Sequence, residues 1–492
     1  MKTKIYIISL IFFGLSACDD ILDVKPVTFS SGTSYYQTVG QIQTAVNGAY
    51  GVLQTLYTSD FWVFTEMRSD NTTYHYNPNN RCCISREEVD EFLNTSVDRY
   101  TESNWRIMYY GIQQSNVILN RIEGVLFSDQ AKKDQFIGEA KFLRALYYFH
   151  LVRLHGPLPL IIEEIEGPTQ AFTNERASVE QVYGQIIKDA KDAAISLPDS
   201  YTSSELGRTT KGAALTLLGE VYLTLKDYTS AVSTLEQVIA LNYMLVPEYA
   251  DLFNPNNKNN SESVFEIQYN AGVEGENSNF IFLFGPYNAA FDLTGFQGQL
   301  WGLNIPTLNI VEAYEEGDTR KEASIGFYVN PDNTAHFESI GDAIPFIKKY
   351  YHPPYIQQGR ADENWPVYRY AHVLLMLAEA LNEEGRTEEA YQYINLVRQR
   401  AGLDPLSGLS QDAFREAVYH EERVELAFEN HRWFDLLRTG RALEVMNAHG
   451  IEEKERLGRL STASFNVQEY MLLFPIPEKE IRLNKYEQNP GW

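Results

Sequence analysis

Residues 213–241 read AALTLLGEVYLTLKDYTSAVSTLEQVIAL, with Leu218, Gly219, Tyr222, Ala231, Leu235 and Val238 at helical spacing. A small residue, an aromatic three positions on and an alanine twelve on are the spacing of a tetratricopeptide helix pair, in which the small residues let the two helices approach closely. Residues 370–400 repeat it, with Ala378, Leu381, Ala390, Ile394 and Val397 at the same offsets, and 413–437 reads as a third pair. Upstream, apolar stripes predict helices over 39–57, 105–122, 131–154 and 179–197. His155-Gly156-Pro157-Leu158-Pro159 ends the third of these, because neither proline continues a helix.

Two stretches break the helical pattern. Residues 69–81, rich in Asn, Thr and Tyr, read as a polar loop. Residues 254–355 are rich in Asn, Gly, Phe and Tyr; 263–269 alternates like a short strand, and 280–301 has no clean period. Long irregular insertions in a helical scaffold carry function more often than not. The expected fold is mostly α, a tetratricopeptide-like helical-pair scaffold with an irregular, loop-rich lobe and few short strands.

The amino terminus sets the address. Lys2 and Lys4, then an apolar run from Ile5 to Gly14, form a signal peptide too short to span a bilayer. Ser16-Ala17 before Cys18 resembles a bacterial lipobox, so residues 1–17 are expected to be removed and Cys18 lipidated. No later apolar stretch reaches spanning length, which leaves the lipid as the expected membrane tether. The other two of the 3 cysteines, Cys82 and Cys83, are neighbours, either a vicinal disulfide or two free thiols, and provide no disulfide framework.

Of 492 residues, 41 are Lys or Arg and 66 are Asp or Glu, a net charge of −25 that argues against nucleic acid and anionic lipid and favours a neutral ligand. The apolar fraction of 44% is that of a folded chain. With 32 Tyr, 26 Phe and 6 Trp, flat faces are plentiful both for a core and for a ligand.

Chemical motifs are scarce. Glu421, Glu422, Glu425, Arg423, Arg432 and Asp435 suggest the paired acids of a glycosidase, but carboxylates alternating with arginines along a helix fit ion pairs better. There is no phosphate loop, nucleophile elbow or His-Glu-x-x-His helix, and the 9 histidines are scattered. No catalytic residue, metal site or cofactor is expected.

Eight segments stand out: 138–160 (GEAKFLRALYYFHLVRLHGPLPL), 262–267 (ESVFEI), 316–320 (EGDTR), 365–371 (WPVYRYA), Glu421-Glu422-Arg423, 432–436 (RWFDL), 473–477 (LFPIP) and 488–491 (QNPG). In their order and spread they resemble the SusD/RagB family, the surface glycan-binding lipoproteins of Bacteroidetes. The resemblance implies a single SusD-like domain over 18–492, with a scaffold at about 35–253 and 366–445 and a ligand-side lobe at about 254–365. It also implies an outer-membrane, lipid-anchored, surface-exposed protein that binds oligosaccharide, does no bond-breaking chemistry and serves a SusC-like TonB-dependent transporter. Asp19 and Asp20, just after the lipidated cysteine, resemble a surface-export signal. A tetratricopeptide scaffold binding peptide or protein, and least of all a glycosidase, are the alternatives.

Sugar rings stack their C–H faces on aromatics and hydrogen-bond through their hydroxyls to planar polar groups. On that chemistry three loops are candidates: Asp70, Asn71, Tyr74, Tyr76, Asn80 and Arg81 in the first, Tyr287 and Trp301 in the second, and Arg360 with Tyr355 in the third. Phe284, Phe291 and Phe296 accompany the second loop, where sealing the lobe onto the helices is the competing role.

Overall fold

The computed structural model describes residues 35–492 apart from 78–80, 82–83, 168–169, 171, 173–174, 330–339 and 341. Cys18, Asn80, Cys82 and Cys83 therefore lie outside the described residues.

The helices are α1 Val39–Thr58, α2 Arg99–Arg121, α3 Gln130–His155, α4 Val179–Ser196, α5 Lys211–Thr224 and α6 Tyr228–Ile239. After the lobe come α7 Tyr370–Glu383, α8 Thr387–Arg400, α9 Gln411–Glu425, α10 Arg432–Arg438 and α11 Ala442–Leu457. Their starts are written locally: Thr38 and Ser178 close capping boxes on α1 and α4, and the Asp98 carboxylate accepts the Thr101 N–H and starts α2 six residues before the apolar stripe does. Consecutive helices pack on one another from α2 to α6, and α7 packs on α6, α8 and α9. Between α5 and α6 a Cβ on Gly219 would stand 2.4 Å from Leu235 Cδ2, so the small residue of the opening stretch sets the helix separation. One apolar cluster runs from Ile42 to Ile476, with Trp62, Trp365 and Trp433 fully buried in it.

The strands are short and pair across long sequence distances. β1 (Thr72–Thr73) pairs with β5 (Ile305–Pro306), β2 (Leu158–Pro159) with β3 (Arg176–Ala177), β4 (Ser263–Ile267) with β8 (Trp365–Arg369), and β6 (Ile325–Val329) with β7 (Ala343–Ile347), all antiparallel. The stretch read as irregular thus holds, among the described residues, four of the eight strands, β4 to β7, together with four short α-helices. Alternation was too brief to reveal β6 and β7. The stretch read as a polar loop is also different: Ser69–Thr73 are buried and end in β1. α11 also runs on to Leu457, beyond the expected scaffold end near 445.

No helix among the described residues is long and apolar enough to cross a membrane. The acids that suggested a glycosidase sit in a buried ionic network. Arg320 bonds Glu421 at 2.6 Å and Glu425 at 3.1 Å, Arg369 bonds Glu262, Glu425 and Glu429 at 2.7–2.8 Å, and Arg438 joins Glu379 to Glu422. Glu421 and Glu425 have no exposed surface. Burial alone would raise the Glu425 carboxyl, but Arg400, Arg369 and Arg320 outweigh it and hold it far below the usual carboxylate range. Charges so matched and so enclosed fix helix packing and are closed to substrate.

Candidate functional site

Beyond β1 the chain surfaces and meets the lobe. The His75 N–H donates to the Gly302 carbonyl at 2.6 Å, and the Trp301, Gly302 and Leu303 N–H groups donate to the carbonyls of Phe282, Gly285 and Leu283. Gly302 sits at φ +59°, and a Cβ there would lie 2.6 Å from His75 Cβ, so this glycine admits His75 at close range. The His75 ring stacks on Tyr287 with centroids 5.3 Å apart and planes 9° from parallel. Trp301 is 43% exposed and Phe291 60%.

Next along the chain, the guanidinium groups of Arg81 and Arg459 lie over the Tyr76 ring at 4.9 and 4.4 Å. Arg81 is ion-paired to Glu87, and Arg459 lies 3.6 Å from Glu91. Each positive charge near Tyr76 is answered by a carboxylate, which suits an uncharged ligand.

The rest of the first loop has a different role. Asp70 is buried and takes Arg432 at 2.8 and 2.9 Å and Arg423 at 3.0 Å. Burial raises its carboxyl, yet the two guanidiniums prevail and keep it well below its ordinary value. Asn71 is fully buried, donating to Glu66 and accepting from Arg423 Nε at 2.9 Å. Glu66 also accepts the Phe428 and Asn430 N–H groups, and burial pushes its carboxyl up to about 7. The Tyr74 ring is 1% exposed, with its hydroxyl donating to Glu91 and accepting from Arg459. Asp70, Asn71 and Tyr74 are therefore corrected from ligand contacts to supports. Their polar atoms are held by Glu66 and Glu91 from 5 and 17 residues away and by Arg423, Arg432 and Arg459 from 352 to 385 residues away, and the distant arginines have no local signature.

The loop of Arg360 packs on the same lobe, with the Tyr355 ring edge-on to Phe282, whose carbonyl accepts the Trp301 N–H. Arg360 lines a cavity with Tyr355 and lies 3.7 Å from Glu274. Phe284 is core, edge-on to Trp62 and Tyr350. The structure thus joins Tyr76, Arg81, His75 and Tyr287 through shared ring and backbone contacts, with Trp301 next to Gly302. The His75–Tyr287 stack escaped the sequence reading; the signal available for it was Gly302 beside Trp301. Among the described residues no three His, Cys, Asp or Glu side chains are grouped to hold a metal ion.

The His75–Tyr287 stack and the exposed Trp301 thus stand on a scaffold of packed helix pairs. A model described as the SusD family matches residues 342–492, one described as starch-binding and associating with the outer membrane matches 20–223, and a tetratricopeptide repeat model matches 212–243. Two SusD-like proteins of Formosa agariphila are 28% and 27% identical, the first over 100% of both chains and the second over 98% of this chain and 97% of its own. A solved structure titled as a laminarin-binding SusD-like protein is 27% identical, covers 93% of this chain and 100% of its own, and superposes with a TM-score of 0.77. The chain belongs to the SusD/RagB family and has its helical, tetratricopeptide-like fold.

Proposed function

We propose that the protein binds an uncharged oligosaccharide on the face formed by Tyr76, His75, Tyr287 and Trp301, releases it unaltered, and delivers it to a SusC-like TonB-dependent transporter. A lipid on Cys18 holds it to the outer membrane, facing outward, and residues 18–492 work as one SusD-like unit. The observation that carries this reading is the parallel His75–Tyr287 stack, with the exposed Trp301 side chain one residue from the glycine that seats it. Sugar rings need flat apolar surface and nearby polar groups, and here both stand on fixed backbone. The family's association with starch and the outer membrane, and the laminarin-binding relative, agree with a neutral glucan as the first ligand to try.

The test is an oligosaccharide array followed by calorimetry. Trp301→Ala is expected to weaken binding about tenfold, the size of one lost aromatic contact, without changing the melting temperature. Unchanged affinity would move the site elsewhere. Shortened oligosaccharides after long incubation would overturn the non-enzymatic part, and protection from protease on intact cells the outward-facing part.

A further inference from the structure

A cavity of about 540 Å³ opens between Asn254–Asn256 and residues 351–363. Glu363 lines it and is 1% exposed, yet neither carboxylate oxygen has a hydrogen-bond partner. His352 Nδ1, 3.4 Å from Glu363 Oε1, has none either. The Tyr355 hydroxyl, on the same wall, accepts the His352 N–H at 2.9 Å. The buried carboxylates described above each have at least one oxygen held: Glu66 accepts three hydrogen bonds, Glu421, Glu425 and Glu429 are each held by at least two cationic side chains, and Glu422 and Asp98 leave one oxygen without a hydrogen bond. Glu363 differs in that neither of its oxygens accepts a hydrogen bond, and a buried carboxylate so placed is costly unless something occupies the site.

The geometry selects the occupant. The Glu363 carboxylate oxygens and, with the imidazole proton on Nε2, the His352 Nδ1 lone pair converge with a phenolic oxygen nearby, so the group that completes them is a donor of several hydrogen bonds. A hydroxyl supplies one proton. Calcium takes six to eight oxygens, and no third acidic or histidine side chain completes a metal group among the described residues. An ammonium supplies three donors and a positive charge on a compact head, which suits atoms this enclosed.

We propose that this cavity binds a primary ammonium group, carried by an amino sugar or by an amino-acid side chain, independently of the aromatic face. The experiment titrates the whole mature protein with glucosamine, Nα-acetyl-lysine amide, glucose and N-acetylglucosamine at matched ionic strength, by calorimetry and thermal shift. Amines are expected to bind saturably and the two neutral sugars not to. Glu363→Gln should weaken the amines about tenfold or more, since a charge-assisted hydrogen bond is lost, while oligosaccharide binding at Trp301 is unchanged. A response to one amine alone identifies the carrier. Removing an uncompensated buried charge should not hinder folding; should Glu363→Gln nevertheless fail to fold, His352→Phe gives the same comparison by deleting one acceptor. Equal responses to amine and neutral sugar, no response to either amine, or full amine binding by the folded variant would overturn the proposal.

Discussion

Gly302 does two things with one missing atom. Its φ of +59° is a conformation that costs a residue with a Cβ about 1–3 kcal/mol, and the 2.6 Å gap to His75 leaves that Cβ no room. Gly302→Ala is therefore expected to destabilise the protein by at least that amount and to tilt His75 off Tyr287, so that oligosaccharide affinity falls along with stability; unchanged affinity in a folded variant would show that the stack is not a contact surface. Trp301→Ala, by contrast, should cost affinity alone. Tyr74 and Tyr76 illustrate what sequence leaves open at this scale. Both are tyrosines two positions apart in a polar stretch, yet one is 1% exposed while the other lies only partly buried beneath two guanidiniums. What sets Tyr74 apart is that its hydroxyl donates to Glu91, 17 residues on, and accepts from Arg459, 385 residues away.

Among the elements, the helices were legible because a helix records its buried face within a few turns of its own sequence. Gly219 against Leu235 was read correctly from spacing alone, and Gly219→Val is expected to overpack α5 on α6 and lower stability by roughly 1–3 kcal/mol in chemical denaturation. The supports of the site were not legible, because their logic joins elements rather than residues within one. Arg423 on α9 and Arg432 on α10 reach across to Asp70 and pin the entry to β1, so helices that touch no ligand place the loop that presents Tyr76. Asp70→Asn leaves two buried arginines uncompensated, and a loss of about 3–5 kcal/mol is expected. Oligosaccharide affinity should fall too; a variant that keeps full affinity would show that the loop holds its shape without these pairs. The family segments Glu421-Glu422-Arg423 and 432–436 thus have a physical meaning here: they build the ionic interior and brace the loop.

For the molecule as a whole, the carboxyl-terminal segment closes onto α3. The Phe474 N–H donates to the Leu154 carbonyl at 2.7 Å, Asn489 donates to the His155 and Phe474 carbonyls at 2.9 Å, and the His155 ring lies 3.1 Å from the Pro475 carbonyl. Burial drives His155 down from 6.5 to about 4, opposed only in part by its hydrogen bonds to Pro475 and Phe474. A histidine neutral in the fold and protonated when unfolded favours folding above its unfolded pKa, and that advantage is lost as pH falls from 6.5 toward 4. Between pH 7 and pH 5 this one residue should account for about 2 kcal/mol of lost stability. His155→Asn keeps a donor for Pro475, and its denaturation midpoint is expected to shift less between those pH values than that of the unaltered protein; equal shifts would remove His155 from the account. The β1–β5 pairing has a further consequence, for the timing of assembly. Tyr76 comes from near the start of the chain, Tyr287 and Trp301 from its middle, and Arg459 from near its end, so the face is absent until segments almost 400 residues apart have met. Contacts of that range form late, after the local helices. A nicked or half-synthesised chain can then be helical and still hold no sugar, which makes ligand binding a stricter assay of complete folding than circular dichroism.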